Sequence, residues 1–436
     1  MPKRKWYSLI DKVYAEHNLR AAAERVLANK GAAGVDGQTW EAFAANLEAE
    51  LVKLHEELRN KAYRPQPVKR VYIPKANGGQ RPLGIPAVRD RVAQQALRQV
   101  LEPIFEPQFL SCSYGFREGR SAHMALDAIS EALAEGKVWV VDADLKSYFD
   151  TIPHDRLIDR VAEEISDGSV LRLVRAFLES GVMEGGAFTL NETGTPQGGV
   201  ISPLLANIYL HPFDVAMTER GHRLVRYADD WVILTGSHQA AERAMVGAKK
   251  VLEEEMGLVV HPEKSRVVSA EEEGFSFLGY TFWASRNKRE EGPRWCQGRR
   301  PSDKALAKAK DKLRVLTKRN QTVSPKTLAR RIRKYVEGWV AYYGRGQSKK
   351  VFTETDRWLR RRFRMVVLRS WRSPRKVHAI LLRRGWKREK LVGFSPYRWR
   401  NAKCQTVHAA LTNEWLASVG FRGLLDCYLQ LSPVRG

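Results

Sequence analysis

Two adjacent aspartates, Asp229 and Asp230, interrupt the otherwise strand-like run "RLVRYADDWVILTG". Neighbouring like charges repel, and burying them without compensation is costly. The run therefore has to break at Ala228, Asp229 and Asp230 into two strands joined by a tight turn, with the carboxylates at its tip. A turn that uses Asp only for local backbone hydrogen bonds is the plainer alternative. A second acidic strand end argues against it. In "VWVVDADLKSYFD", Asp142 and Asp144 follow four apolar residues and, two apart on a strand, share one face. Set beside the hairpin, that strand supplies the hard oxygen ligands that Mg2+ takes. Two such ions, about 3.5–4 Å apart, stabilise the attacking and leaving oxygens of an in-line phosphoryl transfer. Polymerisation of nucleotides, in which a primer 3′-hydroxyl attacks a nucleoside triphosphate, is that reaction.

Other segments carry matching chemistry. "YIPKANGGQRPLGIP" reads as a strand, a Gly-rich turn and a return, and its Lys75 and Arg81 suit a clasp on a triphosphate. "GTPQGGVISPLLANIYL" sets Gln197 in a Pro/Gly-rich loop before a helix, where a polar side chain can lie along an incoming nucleotide. Tyr148 and Phe149 follow the acidic strand. One of them can stack on a sugar and admit or exclude a 2′-hydroxyl, and core packing is the competing role for the pair.

Charge divides the 436 residues unequally. The net charge is +25, yet residues 281–436 hold 40 of the 74 Lys and Arg and only 10 of the 49 Asp and Glu, net +30, which leaves residues 1–280 at −5. A field of that size attracts polyanions, above all nucleic acid. Eight of the 12 tryptophans share the basic segment, which a merely solvated surface does not explain. Four cysteines without a CxxC pair suggest neither a disulfide framework nor a zinc site. No run approaches the roughly 18 apolar residues of a membrane span, and the N-terminus lacks an apolar signal core, so a cytoplasmic or nucleoid location is expected.

Strand-like and helix-like runs alternate before the charge changes sign, as in an α+β body. Strands are expected at 69–75, 137–145, in both arms of the Asp229 run and at 275–283; helices at 89–107, 123–136 and 238–257. The polar, breaker-rich stretch 286–304 reads as a linker. Beyond it, "LARRIRKYVEGWVAYYG" places apolar residues at steps of three and four and leaves Arg330, Arg331, Arg333 and Lys334 largely opposite. "RWLRRRFRMVVLRSW" repeats the design with Arg360, Arg361 and Arg364 among its cations.

In this order the segments "GVDG", "IPKANGGQRPLGIP", "YGFREGRSAH", "DADLKSYFDTIPH", "TPQGGVISPLLANIYL", "RYADDWV" and "FLGYTF" resemble the reverse transcriptase/maturase proteins encoded by bacterial group II introns. The resemblance implies a right-hand polymerase: an N-terminal extension over 1–30 that holds template ends, fingers and palm with an antiparallel sheet over 31–285, a linker over 286–304, and a basic helical thumb/maturase region over 305–436. It implies Asp144, Asp229 and Asp230 as ligands of two Mg2+ ions, with Mn2+ tolerated by the same oxygens. Lys75 and Arg81 fall at triphosphate contacts and Gln197 beside the incoming nucleotide. Tyr148 or Phe149 falls at the sugar gate, and Gly279 in the primer grip. The basic helices would hold intron RNA or the template–primer duplex, so the implied partners are an RNA template, a DNA primer, dNTPs and group II intron RNA. The tail "LTNEWLASVGFRGLLDCYLQLSPVRG" lacks the Cys/His pattern of the endonuclease domain found in many relatives, so DNA-strand cleavage is not expected. Nor is an RNase H site, given the few carboxylates of the basic segment.

Two other readings share this chemistry. One is an intron-type reverse transcriptase domesticated for DNA repair, phage defence or CRISPR spacer acquisition, which flanking DNA would distinguish. The other is an RNA-binding splicing cofactor in which polymerisation is secondary. An intact acidic triad argues against that reading, because a pure binder has no use for one.

Overall fold

The computed structural model describes residues 5–74, 79–190, 193–195, 198–289, 292–391, 393 and 404–431. The chain forms two compact units that meet in sequence between Ser269 and Ala270.

The first unit opens with four helices, α1 (Ile10–Tyr14), α2 (Glu16–Ala28), α3 (Trp40–Ala45) and α4 (Leu47–Arg59). Strands β1 (Val68–Pro74) and β2 (Gln80–Ile85) lead into α5 (Val88–Phe105). The small apolar face of α2, with Leu19, Ala22, Ala23 and Val26, packs on α5, whose Ala93, Ala96 and Leu97 are fully buried. Next come α6 (Ala122–Ala134), β3 (Trp139–Ala143), α7 (Tyr148–Thr151), α8 (His154–Ala162) and α9 (Gly168–Leu178). The unit ends with β4 (Val182–Glu184), β5 (Ala187–Thr189), α10 (Ser202–Glu219), β6 (Arg223–Tyr227), β7 (Asp230–Thr235), α11 (His238–Lys249) and β8 (Arg266–Ser269). The expected helix at 238–257 is α11 followed by a π-helical stretch, Lys250–Glu255.

Two sheets organise this unit. One has the order β2-β1-β4-β5, with β1 and β4 parallel and the outer pairs antiparallel. The other, β6-β7-β3-β8, is antiparallel throughout. Its alternation is legible in burial: Val141, Ala143, Trp231 and Ile233 join the helical core, while Asp142 and Val232, which pair across the strands, point to the other face. Helices α6, α10 and α11 pack against this sheet. Helix α10 is apolar nearly all round, as a helix sunk in the core must be. Two of its polar residues, Asn207 and Asp214, are buried and lie two turns apart on one face.

The second unit begins with a three-stranded antiparallel sheet of order β11-β10-β9, made of β9 (Phe275–Phe277), β10 (Tyr280–Arg289) and β11 (Gly292–Pro301). Two sequence expectations are corrected here. The stretch 275–283 is a strand, a tight turn and a second strand. The expected linker at 286–304 is largely one arm of a two-stranded ribbon paired from Tyr280↔Pro301 to Arg289↔Gly292. Among the described residues no third strand pairs with the ribbon beyond β9's reach, and β11 carries glycine, proline and arginine in place of the apolar alternation that marks a half-buried strand.

From residue 303 the unit is helical: α12 (Asp303–Leu316), α13 (Pro325–Tyr343), α14 (Lys349–Trp371), α15 (Arg375–Arg383), α16 (Gln405–Ala410), α17 (Asn413–Ser418) and α18 (Leu424–Leu431). The expected apolar stripe of α13 is the core face, with Leu328, Ile332, Val336 and Val340 buried. Asp356 of α14 caps α18, accepting the backbone N–H of Leu424 (2.7 Å) and Leu425 (3.0 Å). Among the described residues no helix is long and apolar enough to cross a membrane.

Candidate active site

The Asp229 run folds as the hairpin its sequence demands. Tyr227 pairs with Asp230, leaving Ala228 and Asp229 as a two-residue turn. Ala228 takes a left-handed backbone (φ 58°), which costs an L-residue about 1–2 kcal/mol. Packing and hydrogen bonding must hold the turn against that strain. Gly115 lies so close that a Cβ there would stand 2.3 Å from the Ala228 nitrogen. The buried Arg226 guanidinium donates to the Ala228 carbonyl at 2.9 Å. A hydrogen bond from a charged donor contributes about 1.5–3 kcal/mol, enough to offset the strain.

Strand pairing brings the second acidic segment to the same end. Asp142 pairs with Val232 and Ala143 with Trp231, where the pairing ends; Asp144 is the next residue along β3's chain and Asp230 the first of β7, near enough for their charges to act on each other. On its other side β3 pairs Asp142 with Arg266, the first residue of β8, and Lys264, in the turn two residues before it, donates its Nζ to Asp144 Oδ2 at 2.7 Å. Asp144 thus lies near the carboxylate that opens β7 and against the ammonium of a turn. Lys264 was not legible in the sequence, where "HPEKS" reads as an ordinary polar turn.

The carboxylates feel one another. Burial, and then the charge of Asp144, raise Asp229, against which Arg81 and Arg226 pull downward. Asp230 is pushed up to about 7, first by desolvation and then by Asp229, Asp144 and Asp142. Its residue keeps an open side to water, which moderates the size of that shift and leaves its direction intact. Asp142 rises to about 6, mainly through burial, with Arg266 opposing. Burial is the first cause of all three shifts, and it outweighs the pull of the nearby cations. Hard oxygen donors held together at this cost suit a divalent cation of the Mg2+ type. Among the described residues no three acidic, His or Cys side chains stand in finished metal-ligating geometry. Lys264 engages Oδ2 of Asp144, which leaves the other carboxylate oxygen outside that ion pair.

Asp144 and Asp229 line a cleft of about 780 Å3 together with Arg81, Phe116, Phe149, Ser202, His261 and Lys264. Arg81 of β2 therefore shares the cleft with Asp144 and Asp229. Lys75 and Gln197 lie outside the described residues, although Gly198 and Gly199 beside Gln197 line the same cleft. The two sugar-gate alternatives differ in burial. Tyr148 is 2% exposed and its hydroxyl donates to the Ala206 carbonyl at 2.6 Å, which makes it a core residue. Phe149 is half-buried, lines the cleft, as part of Tyr148 also does, and meets the exposed ring of Phe116 edge to face at 6.5 Å. Phe116, not singled out in the sequence, also carries a left-handed backbone (φ 60°).

In the second unit, Gly279 (φ 81°) and Leu278 (φ 46°) form the turn between β9 and β10. A Cβ on Gly279 would lie 2.6 Å from the Tyr343 hydroxyl, and Tyr342 donates to the Leu278 carbonyl at 3.0 Å. Two tyrosines of α13 thus clamp this hairpin, and the close approach that needs glycine is that of Tyr343. Arg330, Arg331, Arg333 and Lys334 are exposed along α13, with Arg333 also paired to Glu337 at 2.6 Å. Arg360 and Arg361 are half-buried. Arg364 is corrected: it is 5% exposed, donates to the Leu411 carbonyl (2.8 Å) and Asn413 Oδ1 (3.1 Å), and serves the core rather than a wet face.

The antiparallel sheet, with acidic residues from two strands at one end beside a cleft, has the form of a right-hand polymerase palm. Residues 73–282 match the family reverse transcriptase (RNA-dependent DNA polymerase), and residues 306–390 match the group II intron maturase-specific domain. Protein YkfC of Escherichia coli (strain K12) is 36% identical over 310 residues, covering 62% of this chain and 81% of that protein. Group II intron-encoded protein LtrA of Lactococcus lactis subsp. cremoris is 42% identical over 196 residues, covering 44% of this chain but only 32% of that protein. A solved structure of apo telomerase from Candida tropicalis, truncated from its C-terminal domain, matches with a TM-score of 0.40 at 16% identity over 52% of this chain and 56% of that chain. The chain belongs to the group II intron reverse transcriptase/maturase family.

Proposed function

We propose that this chain is an RNA-directed DNA polymerase that also binds group II intron RNA and assists its splicing. The observation that carries the reading is the pairing of β3 with β7, which ends at Ala143↔Trp231 and leaves Asp144, Asp229 and Asp230 within reach of one another's charge at one end of an antiparallel sheet. Asp144, Asp229 and Asp230 would hold two Mg2+ ions, or Mn2+ in their place. Bound there, the ions would supply charge stabilisation to the attacking and leaving oxygens of nucleotidyl transfer. Arg81, facing the carboxylates from β2, suits the triphosphate of a dNTP, with Lys75 and Gln197 assigned to the same nucleotide. Phe149 is the sugar gate, since Tyr148 is committed to the core. Gly279 and its hairpin are assigned to the primer strand. The exposed cations of α13, with Arg360 and Arg361, are assigned to RNA or the template–primer duplex.

The test is extension of a DNA primer on an RNA template by the full chain with dNTPs and Mg2+, run beside splicing of a group II intron RNA. Extension that disappears on chelation, together with accelerated splicing, supports both roles. Splicing assistance from a chain that extends no primer would instead favour the RNA-binding cofactor.

A further inference from the structure

The Arg226 side chain is fully buried, and all five of its guanidinium N–H groups find acceptors drawn from separate stretches of chain. Nε and Nη2 take the two carboxylate oxygens of Asp214 at 2.7 and 2.6 Å, and Nη2 also takes Ser113 Oγ at 2.8 Å. Nη1 takes Asn207 Oδ1 at 3.0 Å and the Ala228 carbonyl at 2.9 Å. A guanidinium offers five donors in a fixed planar fork, so none is left over. An ion pair buried this deeply is a poor stabiliser, because apolar residues of the same volume often do better. What it orients is therefore the informative question.

One acceptor is the carbonyl of the left-handed residue that makes the acidic turn. Asn207 connects the same guanidinium to the far side of that turn, since its Nδ2 donates to the Gly115 carbonyl at 2.8 Å and Gly115 packs against Ala228. Backbone bonds between Tyr114 and Arg226 (2.9 Å) and between Arg226 and Cys112 (2.8 Å) fix the two segments alongside each other. The turn is gripped from within by Arg226 and from outside by Gly115, and one polar network joins the grips.

We propose that Arg226 is the positioning residue of the acidic hairpin: through the Ala228 carbonyl, with Asp214, Asn207 and Ser113 fixing its plane, it sets where Asp229 and Asp230 present oxygens to divalent cations. This rests on the polymerase reading above. A merely structural ion pair would act differently, because its variants would lose stability and activity together without changing how tightly the folded fraction binds metal.

The experiment titrates Mn2+ into the full chain by electron paramagnetic resonance, with thermal melting of each variant and the Mg2+ dependence of primer extension measured alongside. Arg226→Lys keeps the charge opposite Asp214 but cannot reproduce the fork. Asn207→Ala keeps the ion pair and removes one acceptor and the tie to Gly115, so it serves if the lysine variant does not fold. In the folded variant Mn2+ affinity should fall about tenfold. Extension should recover at saturating Mg2+, and KM for primer–template should stay unchanged. A folded Arg226→Lys or Asn207→Ala chain whose Mn2+ affinity falls less than about threefold overturns the proposal, as does a wild type that binds no Mn2+. A wild type that binds Mn2+ but extends nothing refutes the polymerase reading alone, and the titration still decides the role of Arg226.

Discussion

Lys264 Nζ stands 2.7 Å from Asp144 Oδ2, an ammonium seated on a carboxylate that the proposed reaction assigns to a metal ion. Lysine and a cation held there would share one carboxylate and repel each other. Replacing Lys264 by Gln removes that nearby positive charge, so the variant should bind Mn2+ several-fold more tightly than wild type, by roughly the tenfold that one pKa unit of interaction represents or less. A titration showing equal or weaker binding would mean that Lys264 assists metal entry instead of opposing it.

The raised carboxylates make a pH prediction whose sign is fixed. Asp230, pushed up to about 7, and Asp142, pushed up to about 6, hold protons in the folded chain at pH values where the unfolded chain has lost them. Their contribution favours the fold at low pH and is lost as pH rises from the ordinary aspartate range through about 7. In chelator, this cluster should lower the melting temperature between about pH 5.5 and pH 8, and Asp230→Asn should flatten part of that decline. Added Mg2+ should restore stability most at the higher pH, where the ligands are ionised. An Asp230→Asn melting profile parallel to wild type in chelator would contradict this assignment.

Adjacent aromatics should respond in opposite ways. Phe149→Ala, which opens the cleft wall, should relax discrimination against ribonucleotides by about tenfold or more with little change in melting temperature. Tyr148→Ala should cost about 3–5 kcal/mol of stability, as large aromatic truncations in a core do. Tyr148→Phe loses one hydrogen bond and should cost about 1 kcal/mol without altering sugar choice. Competition between dNTP and rNTP, read beside thermal melts, separates the two positions.

The arginines of the second unit divide in the same manner. Neutralising Arg330, Arg331 and Lys334 together should weaken RNA binding and reduce the slope of log affinity against log salt by about 0.7–0.9 for each phosphate that is no longer neutralised. Arg364→Met should leave that slope unchanged and lower the melting temperature, because its guanidinium serves Leu411 and Asn413. An unchanged slope in the triple variant would show α13 to be solvated rather than bound.

The acidic hairpin was legible because carboxylates in an apolar strand pair leave few arrangements open, and α13 because its stripe repeats at helical spacing. The strand pairing that brings Asp144 near Asp230 was only implied, since pairing is a tertiary fact. Lys264 and Arg226 were hidden for the same reason: each looks ordinary in its own segment, and its partner lies 120 residues away for Lys264 and 12 for Arg226, across a helix-to-strand connection. The β10–β11 ribbon was hidden because its second strand, "GPRWCQGRRP", carries glycines, prolines and arginines instead of apolar alternation. Tyr148 and Phe149 could not be separated, since adjacent residues on a one-turn helix point apart and only the surrounding core decides which is buried. Arg364 was assigned to the surface by charge alone, while the carbonyl and amide that satisfy it lie 47 and 49 residues further on.

Asp144, Asp229 and Asp230 are proposed to act together on divalent ions to copy RNA into DNA. Primer extension on an RNA template, comparing wild type with a folded Asp229→Ala chain at equal concentration in Mg2+, tests this most directly. Wild type should synthesise DNA robustly, and the variant should lose several orders of magnitude in rate. Synthesis by Asp229→Ala within about threefold of wild type would contradict the shared metal role of the three carboxylates.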